Sequence, residues 1–285
     1  MHERTFVGER RSRQSGGMSM TRKDDYYNRA KQQGYRSRAA YKLTQLDDLE
    51  NVISSGDTVV DLGAAPGGWL QVAAEKVGPE GTVIGVDLQR IKDFDDEIDD
   101  RIETIRGDMT QEKTRTRVID AAGGEATPEG GPVDVVVSDM APNMSGEYSL
   151  DQARSLHLAR QAFETALELL DTGGDFVVKV FQGPDVEDFR SDLEDEFQYV
   201  RATSPKASRD ESSEIYFIGK GRLTAPVREG DELEVDIVDV GSEGDGIASV
   251  DGYRLFVPAA EDGETLEVRV EDVKPNFGFA QRLDR

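Results

Sequence analysis

The 285-residue chain contains no cysteine, which excludes disulfides, thiolate zinc sites and cysteine nucleophiles. Its two histidines, His2 and His157, cannot build a histidine metal site alone, so no metal centre is expected. No apolar run approaches the ~18–20 residues of a membrane span. The first residues, MHERTFVGERRSRQSGG, lack the apolar stretch of a secretion signal. Together these absences predict a soluble, cytoplasmic protein that engages no membrane. Nothing in the sequence demands a dimer, and a monomer is expected. Basic residues are scarce as well. There are 34 Lys and Arg against 58 Asp and Glu, a formal net charge of −24.

The charge is unevenly spread. Residues 1–46 carry eleven Lys/Arg and four Asp/Glu, a net of +7, so the other 239 residues carry −31. A basic segment in an acidic protein is an electrostatic footprint for a polyanion. The acidic remainder, with runs such as DFDDEIDD at 93–100, reads as a folded protein with an acidic skin adapted to a salty cytoplasm, where screening removes most surface repulsion. Apolar strands such as TVVDL and VDVVVSDM argue against disorder.

From residue 56 the pattern alternates strand and helix. Strands are expected at 58–62, 82–88, 101–109, 133–140 and 175–181, and helices at 149–170 and 185–197. TGG at 172–174 reads as the stop of the long helix, whose Leu156, Phe163, Leu167 and Leu170 share a face. YVRATS and EIYFIGKG close the block as an antiparallel pair. Such alternation predicts an α/β, Rossmann-like fold with a mostly parallel sheet covered on both faces. After residue 222 the helical period vanishes. Short alternating strands separated by Gly-Asp-Glu turns predict a small all-β barrel, at −10 net charge over 223–285. The expected organisation is a flexible tail over 1–21, a catalytic domain over 22–221 and a barrel over 222–285.

Parallel sheets bind ligands beyond the carboxyl ends of their strands, and the motifs fall there. VVDLGAAPGGW is a strand, a glycine turn and a helix start. Gly63, Gly67 and Gly68, followed by Trp69, let the backbone approach a ligand closely. The spacing differs from the GxGxxG of a dinucleotide site. Asp87 ends the second strand and is placed for ribose hydroxyls. Asp108 is placed for an adenine amino group, and Asp139 ends the fourth strand. Each Asp alone reads as a turn or cap residue. Carboxylates at successive strand tips beside a glycine turn fit a cationic nucleoside, S-adenosylmethionine, better than a nicotinamide dinucleotide.

Lys179 lies inside the apolar strand DFVVKVF, where an amine is costly to bury unless paired. Its alternative is an edge-strand lysine facing solvent. Asp139, Glu214 and Lys42 are placed to meet it, though each alone reads as a surface charge. In the motifs DLGAAPGGWLQVA, SDMAPNMSG, FVVKVFQG and SSEIYFIGKG the chain resembles the FtsJ/RrmJ family of ribose 2′-O-methyltransferases over about residues 22–220. That resemblance implies a seven-stranded methyltransferase fold, S-adenosylmethionine as cofactor, and a Lys-Asp-Lys-Glu tetrad that Lys42, Asp139, Lys179 and Glu214 match in order. Within the family it is most similar to the branch that methylates a uridine ribose in 23S ribosomal RNA, which implies the large ribosomal subunit as partner. The C-terminal segment is similar to a TRAM domain, an RNA-binding, OB-like barrel. With the acidic skin, that appendage suggests a halophilic, archaeal form.

A hydroxyl is a poor nucleophile while protonated, so a base must lie within hydrogen-bond reach. Lys179 is one candidate. In the other division of labour, Lys179 stays charged and stabilises the alkoxide while Asp139 takes the proton. Arg29, Lys31, Arg36 and Arg38 are candidate phosphate contacts, and Tyr35 and Tyr41 either stack on bases or pack on the first helix. In the barrel, Arg254, Lys274, Arg282, Phe256, Phe277 and Phe279 are expected to form one RNA-facing patch. Methylation of tRNA and a non-catalytic assembly role are the competing functions.

Overall fold

The computed structural model describes residues 21–94, 100–124, 130–208, 212–242 and 244–283. The expected tail over 1–21, apart from Thr21, lies outside the described residues, as does the middle of the acidic run at 93–100. Two helices, α1 (Thr21–Gln32) and α2 (Ala40–Glu50), precede the sheet. The alternating part follows as β1 (Thr58–Leu62), α3 (Gly68–Val77), β2 (Thr82–Asp87), β3 (Ile102–Arg106), α4 (Glu112–Ala121) and β4 (Val133–Ser138). It continues as α5 (Tyr148–Leu169), β5 (Leu170–Phe181), α6 (Val186–Glu196), β6 (Phe197–Thr203) and β7 (Glu214–Arg222).

These strands form one seven-stranded sheet in the order β3-β2-β1-β4-β5-β7-β6. β1 to β5 pair in parallel, and β7 runs antiparallel between β5 and β6. The β-branched runs TVVDL and VDVVVS lie in the sheet's centre, and their side chains are buried on both faces. One face packs Phe163, Phe176, Phe189, Phe197 and Phe217 beneath α5 and α6. The other packs Leu43, Leu46, Trp69, Leu70 and Tyr216 beneath α2 and α3. Small residues Ala159, Ala162 and Ala166 on the inner side of α5 let that helix sit close to the sheet.

The reading of TGG as a helix stop is corrected. The long helix already ends at Leu169, and β5 begins at the next residue and runs through Thr172–Gly174. A register shift between Val133 and Val135 of β4 absorbs the extra residues of β5. Leu170 is therefore a strand residue and not part of the apolar helix face. The third strand is also shorter than 101–109 and leaves Asp108 in the following loop.

The C-terminal strands β8 (Glu232–Val240), β9 (Gly246–Val250), β10 (Tyr253–Val257), β11 (Thr265–Val273) and β12 (Phe277–Arg282) close into a barrel in the order β10-β12-β11-β8-β9. Inward Val235, Ile237, Leu255, Val257, Val268 and Val270 fill it. The barrel joins the sheet at its base, the end remote from the β4 and β5 tips. Leu223 N–H donates to Glu196 O at 2.9 Å, Thr172 and Thr224 share a hydroxyl hydrogen bond of 2.6 Å, and Pro275 lies over Gly173 and Gly221. Among the described residues no helix is long and apolar enough to cross a membrane.

Candidate active site

Lys179, two residues from the end of β5, is flanked by β4 and β7 and is only 6% exposed. The edge-strand alternative is thereby excluded. Its Nζ donates to Asp139 Oδ1 at 2.8 Å and to Asp139 O at 2.5 Å. Lys42, buried on α2, donates to Tyr216 Oη at 3.0 Å and pairs with Glu214 Oε1 at 2.8 Å. Lys42 also lies 3.8 Å from Asp139 Oδ1. Tyr216 Oη in turn donates to Asp139 Oδ1 at 2.6 Å. The four residues expected from the sequence thus meet in one network of two amines and two carboxylates, each charge answered by an opposite one. Pairing of this quality is what allows charge to remain in a water-poor site.

Tyr216 closes the network, and the sequence did not single it out. It is fully buried, it packs near Trp69, and its hydroxyl links the Lys42–Glu214 pair to the Lys179–Asp139 pair. Burial, then the charges of Asp139 and Glu214, push its phenol far up, so it stays a donor. Burial pushes the Glu214 carboxyl up, but the charge and hydrogen bond of Lys42, with the charge of Lys179, outweigh it and hold the group below its ordinary value.

Beside the network, a cavity of about 420 Å³ opens over the ends of β1, β2, β3 and β4. Gly63, Asp87, Gln89, Asp108, Asp139 and Met140 line it. A smaller cavity of about 160 Å³ shares Gly63, Ala65 and Asp139 and adds Asp61, Gly68 and Trp69. Gly63 has φ +81°, and a β-carbon there would collide with Met140 Cγ at 2.1 Å. Asp87 braces both its own loop and the glycine turn, and Asp108 braces its own loop. Asp87 accepts Ala65 N–H at 3.0 Å and Gln89 N–H at 2.7 Å, and Asp108 accepts Thr110 N–H at 3.0 Å and its hydroxyl at 2.8 Å. The turn role and the cavity-lining role therefore coexist.

Gly67 lines neither cavity. Its φ of +108° and lack of a side chain admit Phe94 and the Arg36 guanidinium instead. Arg36 donates to the carbonyls of Pro66 (3.3 Å), Lys92 (2.6 Å) and Asp93 (2.5 Å) and sits 3.5 Å over the Phe94 ring. The expectation of Arg36 as a phosphate contact is corrected, because its donors are committed to carbonyls of the glycine loop and of the segment after β2. Trp69 Nε1 donates to Ala39 O at 2.7 Å, a second strap between this loop and the segment carrying Lys42. Tyr35 and Tyr41 pack edge-on to each other and not outward. Arg29 stacks over Tyr26 and Tyr41, and Arg38 donates to Ala207 O at 3.3 Å. Lys31 is exposed.

Asp61 is the second residue the sequence did not single out. It is 2% exposed and forms no ion pair among the described residues. Burial, then the charges of Asp139 and Asp87, push its carboxyl well above the usual range. Asp61 is thus a buried acid without an ionic partner among the described residues, at the wall of the smaller cavity and near Asp139 and Asp87. The signal was present, since TVVDL places an acid inside an apolar strand as DFVVKVF places an amine. Among the described residues no group of acids or histidines could hold a metal ion.

On the barrel, Phe256, Phe277 and Phe279 form one cluster with centroids 5.6–5.9 Å apart. Phe277 and Phe279 are 37% and 41% exposed. Arg254 pairs with Phe277 across β10 and β12 and shares their outer face. Lys274 and Arg282 do not add free charge to it, because Lys274 pairs with Asp272 at 2.9 Å and Arg282 with Glu264 at 3.5 Å.

Comparison with known proteins gives a consistent picture. The profile of FtsJ-like methyltransferase matches residues 35–222, and that of the TRAM domain matches 226–283. Natronomonas pharaonis has a ribosomal RNA large subunit methyltransferase E that is 66% identical over 265 residues, covering 93% of this chain and 100% of that protein. The Methanosarcina acetivorans protein of the same name is 48% identical over 268 residues, covering 94% of each. A crystal structure described as a ribosomal RNA methyltransferase of Plasmodium falciparum superposes with a TM-score of 0.56 at 24% identity, covering 66% of this chain and 98% of that one.

Proposed function

We propose, on the premise that the chain belongs to the FtsJ-like methyltransferase family, that it methylates the ribose 2′-OH of a uridine in 23S ribosomal RNA with S-adenosylmethionine as donor. The observation that carries this reading is the Lys42–Asp139–Lys179–Glu214 network lying at the rim of a cavity lined by acids.

The cofactor's fit rests on the cavity's own chemistry. Asp61, unpaired and buried, suits a positive group, while Asp87 and Asp108 suit a ribose and an adenine. Gly63 gives the backbone close approach, and Gly68 and Trp69 wall the smaller recess. Gly67 serves the site indirectly, through the Arg36 clamp. When bound, the donor supplies an activated methyl carbon to an incoming oxygen.

The chain must then place a 2′-OH in line and remove its proton. Asp139 Oδ1 already receives hydrogen bonds from Lys179 and Tyr216, so it orients more readily than it accepts. To take the proton Lys179 must act as the neutral amine, its two N–H bonds kept on Asp139 O and Oδ1 and its lone pair turned to the sugar hydroxyl, so that it becomes the ammonium as the oxygen attacks. On this reading Lys179 is the base, with Asp139 and Tyr216 holding it in place. Lys42 supplies a second positive charge beside the developing alkoxide, and Glu214 holds Lys42.

The barrel gives RNA a second foothold through Phe256, Phe277, Phe279 and Arg254. Rings stack on unpaired bases without drawing on phosphate attraction, which suits an acidic protein in strong salt. The enzyme acts as a monomer in the cytoplasm, on RNA within the large ribosomal subunit.

Transfer of a labelled methyl group to isolated large subunits, naked 23S RNA and tRNA tests the substrate, with nuclease digestion locating the modified ribose. Label in a 2′-O-methyluridine of the large subunit is expected. Label confined to tRNA, or to none of the three, overturns the assignment. Activity of Lys179→Arg with an unchanged pH profile overturns the base role alone.

A further inference from the structure

The junction of β4 and α5 carries two large apolar side chains held in water, Met144 in the loop at 65% exposure and Tyr148, the first residue of α5, at 63%. Single exposed apolar residues need no explanation. These two differ because the junction that carries them is fixed from within. The buried Asp151 carboxylate accepts Ser145 N–H and Ser145 Oγ–H at 2.8 Å and Gly146 N–H at 3.1 Å, while Gly146 turns the chain at φ +84°. Tyr148 Oη donates to Gln182 O at 3.4 Å, and Gln152 Nε2 donates to the same carbonyl. Gln182 N–H is held by Ser213 O at 2.8 Å, beside the Phe181–Glu214 register pair. Tyr148 is thus fastened one residue beyond the end of β5, at the lip next to Glu214.

That position follows the geometry of the transfer. The donor cavity covers the ends of β1 to β4. An attack in line with the departing sulfur places the incoming sugar on the opposite side of the methyl group. In this sheet the opposite side is the β5–β7 half, where Gln182, Ser213 and Tyr148 lie. A ribose whose 2′-OH meets Lys179 there must send its base outward across the lip. A base lifted from a strand needs a flat or soft apolar face in place of the stack it left.

We propose that Tyr148, with Met144 four residues before it in the chain, is the stacking surface for the nucleobase of the nucleotide being methylated. The inference rests on the assignment of RNA 2′-O-methylation above and adds the residues that seat the base. The tyrosine ring offers a π-face and the thioether a polarisable one. Stacking reads no hydrogen-bond pattern, so this surface seats the base while selection of the site falls to contacts elsewhere on the RNA.

The test compares wild type, Met144→Ala/Tyr148→Ala and Tyr148→Phe in labelled methyl transfer to transcribed large-subunit RNA. The affinity of each for S-adenosylmethionine is measured by titration calorimetry, and RNA affinity by fluorescence anisotropy. The double variant is expected to raise KM for the RNA about tenfold or more, the scale of one lost stack, with cofactor affinity unchanged. Tyr148→Phe keeps the ring and restores KM. An unchanged KM in the double variant, or a Tyr148→Phe as defective as the double variant, overturns the proposal. A wild type that methylates no RNA overturns the functional assignment instead. The anisotropy arm then still decides the base seat, since equal RNA affinity of wild type and double variant excludes it.

Discussion

The tip of the sheet and the barrel use charge and rings in opposite ways. At the tip, two lysines, a glutamate and a phenol are buried, with the half-buried Asp139 among them, and all are mutually satisfied. On the barrel, carboxylates face solvent while three phenylalanines, normally core residues, share the outer surface with Arg254. Buried charge is stable only at a particular geometry, so the tip is held tightly and tolerates little change. An exposed ring needs only area, so the barrel patch should tolerate rearrangement and act through affinity. The difference separates chemistry from retention, and each half can be broken without the other.

The largest effect is expected at the tip. Lys179→Ala should lower kcat by 10²–10⁴-fold, the usual weight of a positioned proton acceptor, while S-adenosylmethionine still binds in calorimetry. A variant that loses cofactor binding as well would mean that the network builds the cavity and is not confined to the reaction. Next is Asp61→Asn. With its carboxyl raised by burial and by Asp139 and Asp87, Asp61 is protonated over a wider acidic range than an ordinary aspartate. Binding a cation favours the ionised form and so releases a proton. Affinity for the cofactor should therefore strengthen as pH rises from the ordinary carboxylate value to the raised one. Asp61→Asn should weaken binding and flatten that dependence. A pH-independent affinity in the wild type would remove Asp61 from the site.

The smallest effect should come from the barrel. Phe277→Ala with Phe279→Ala should raise KM for RNA several-fold to about tenfold, with kcat and the melting temperature little changed. Measured against salt, the lost affinity should be nearly constant, because stacking releases few counterions. A loss that disappears in high salt would show that the patch works through charge after all, and the contrast between the two regions would fall.

Much of this was legible in the sequence because it rests on local pattern. Strand-helix alternation, the glycine turn and an amine inside an apolar strand are written within windows of about ten residues. Asp61 follows the logic of Lys179, an ionisable group inside an apolar strand, but TVVDL was read for its strand pattern alone. Tyr216 was hidden for a different reason. In EIYFIG it reads as one more core aromatic, and its hydroxyl acquires a role only when β7, β4 and α2 bring Asp139 and Lys42 to it. Arg36 was read as a phosphate contact for the same reason, since its acceptors lie 30 to 57 residues ahead. The TGG segment was misread because glycines that end helices also allow a bulged strand.

The place where the barrel is fastened has a consequence for the shape of the substrate. Pro275 rests on Gly173, and Lys179 lies six positions further along the strand, a span of roughly 20 Å at ~3.3 Å per residue. An RNA held at both stations must extend past the length of the domain, so a short oligonucleotide bearing the target uridine can occupy one anchor and leave the other idle. The molecule is in effect a caliper, and the rate gained by lengthening the RNA would report the distance between its jaws.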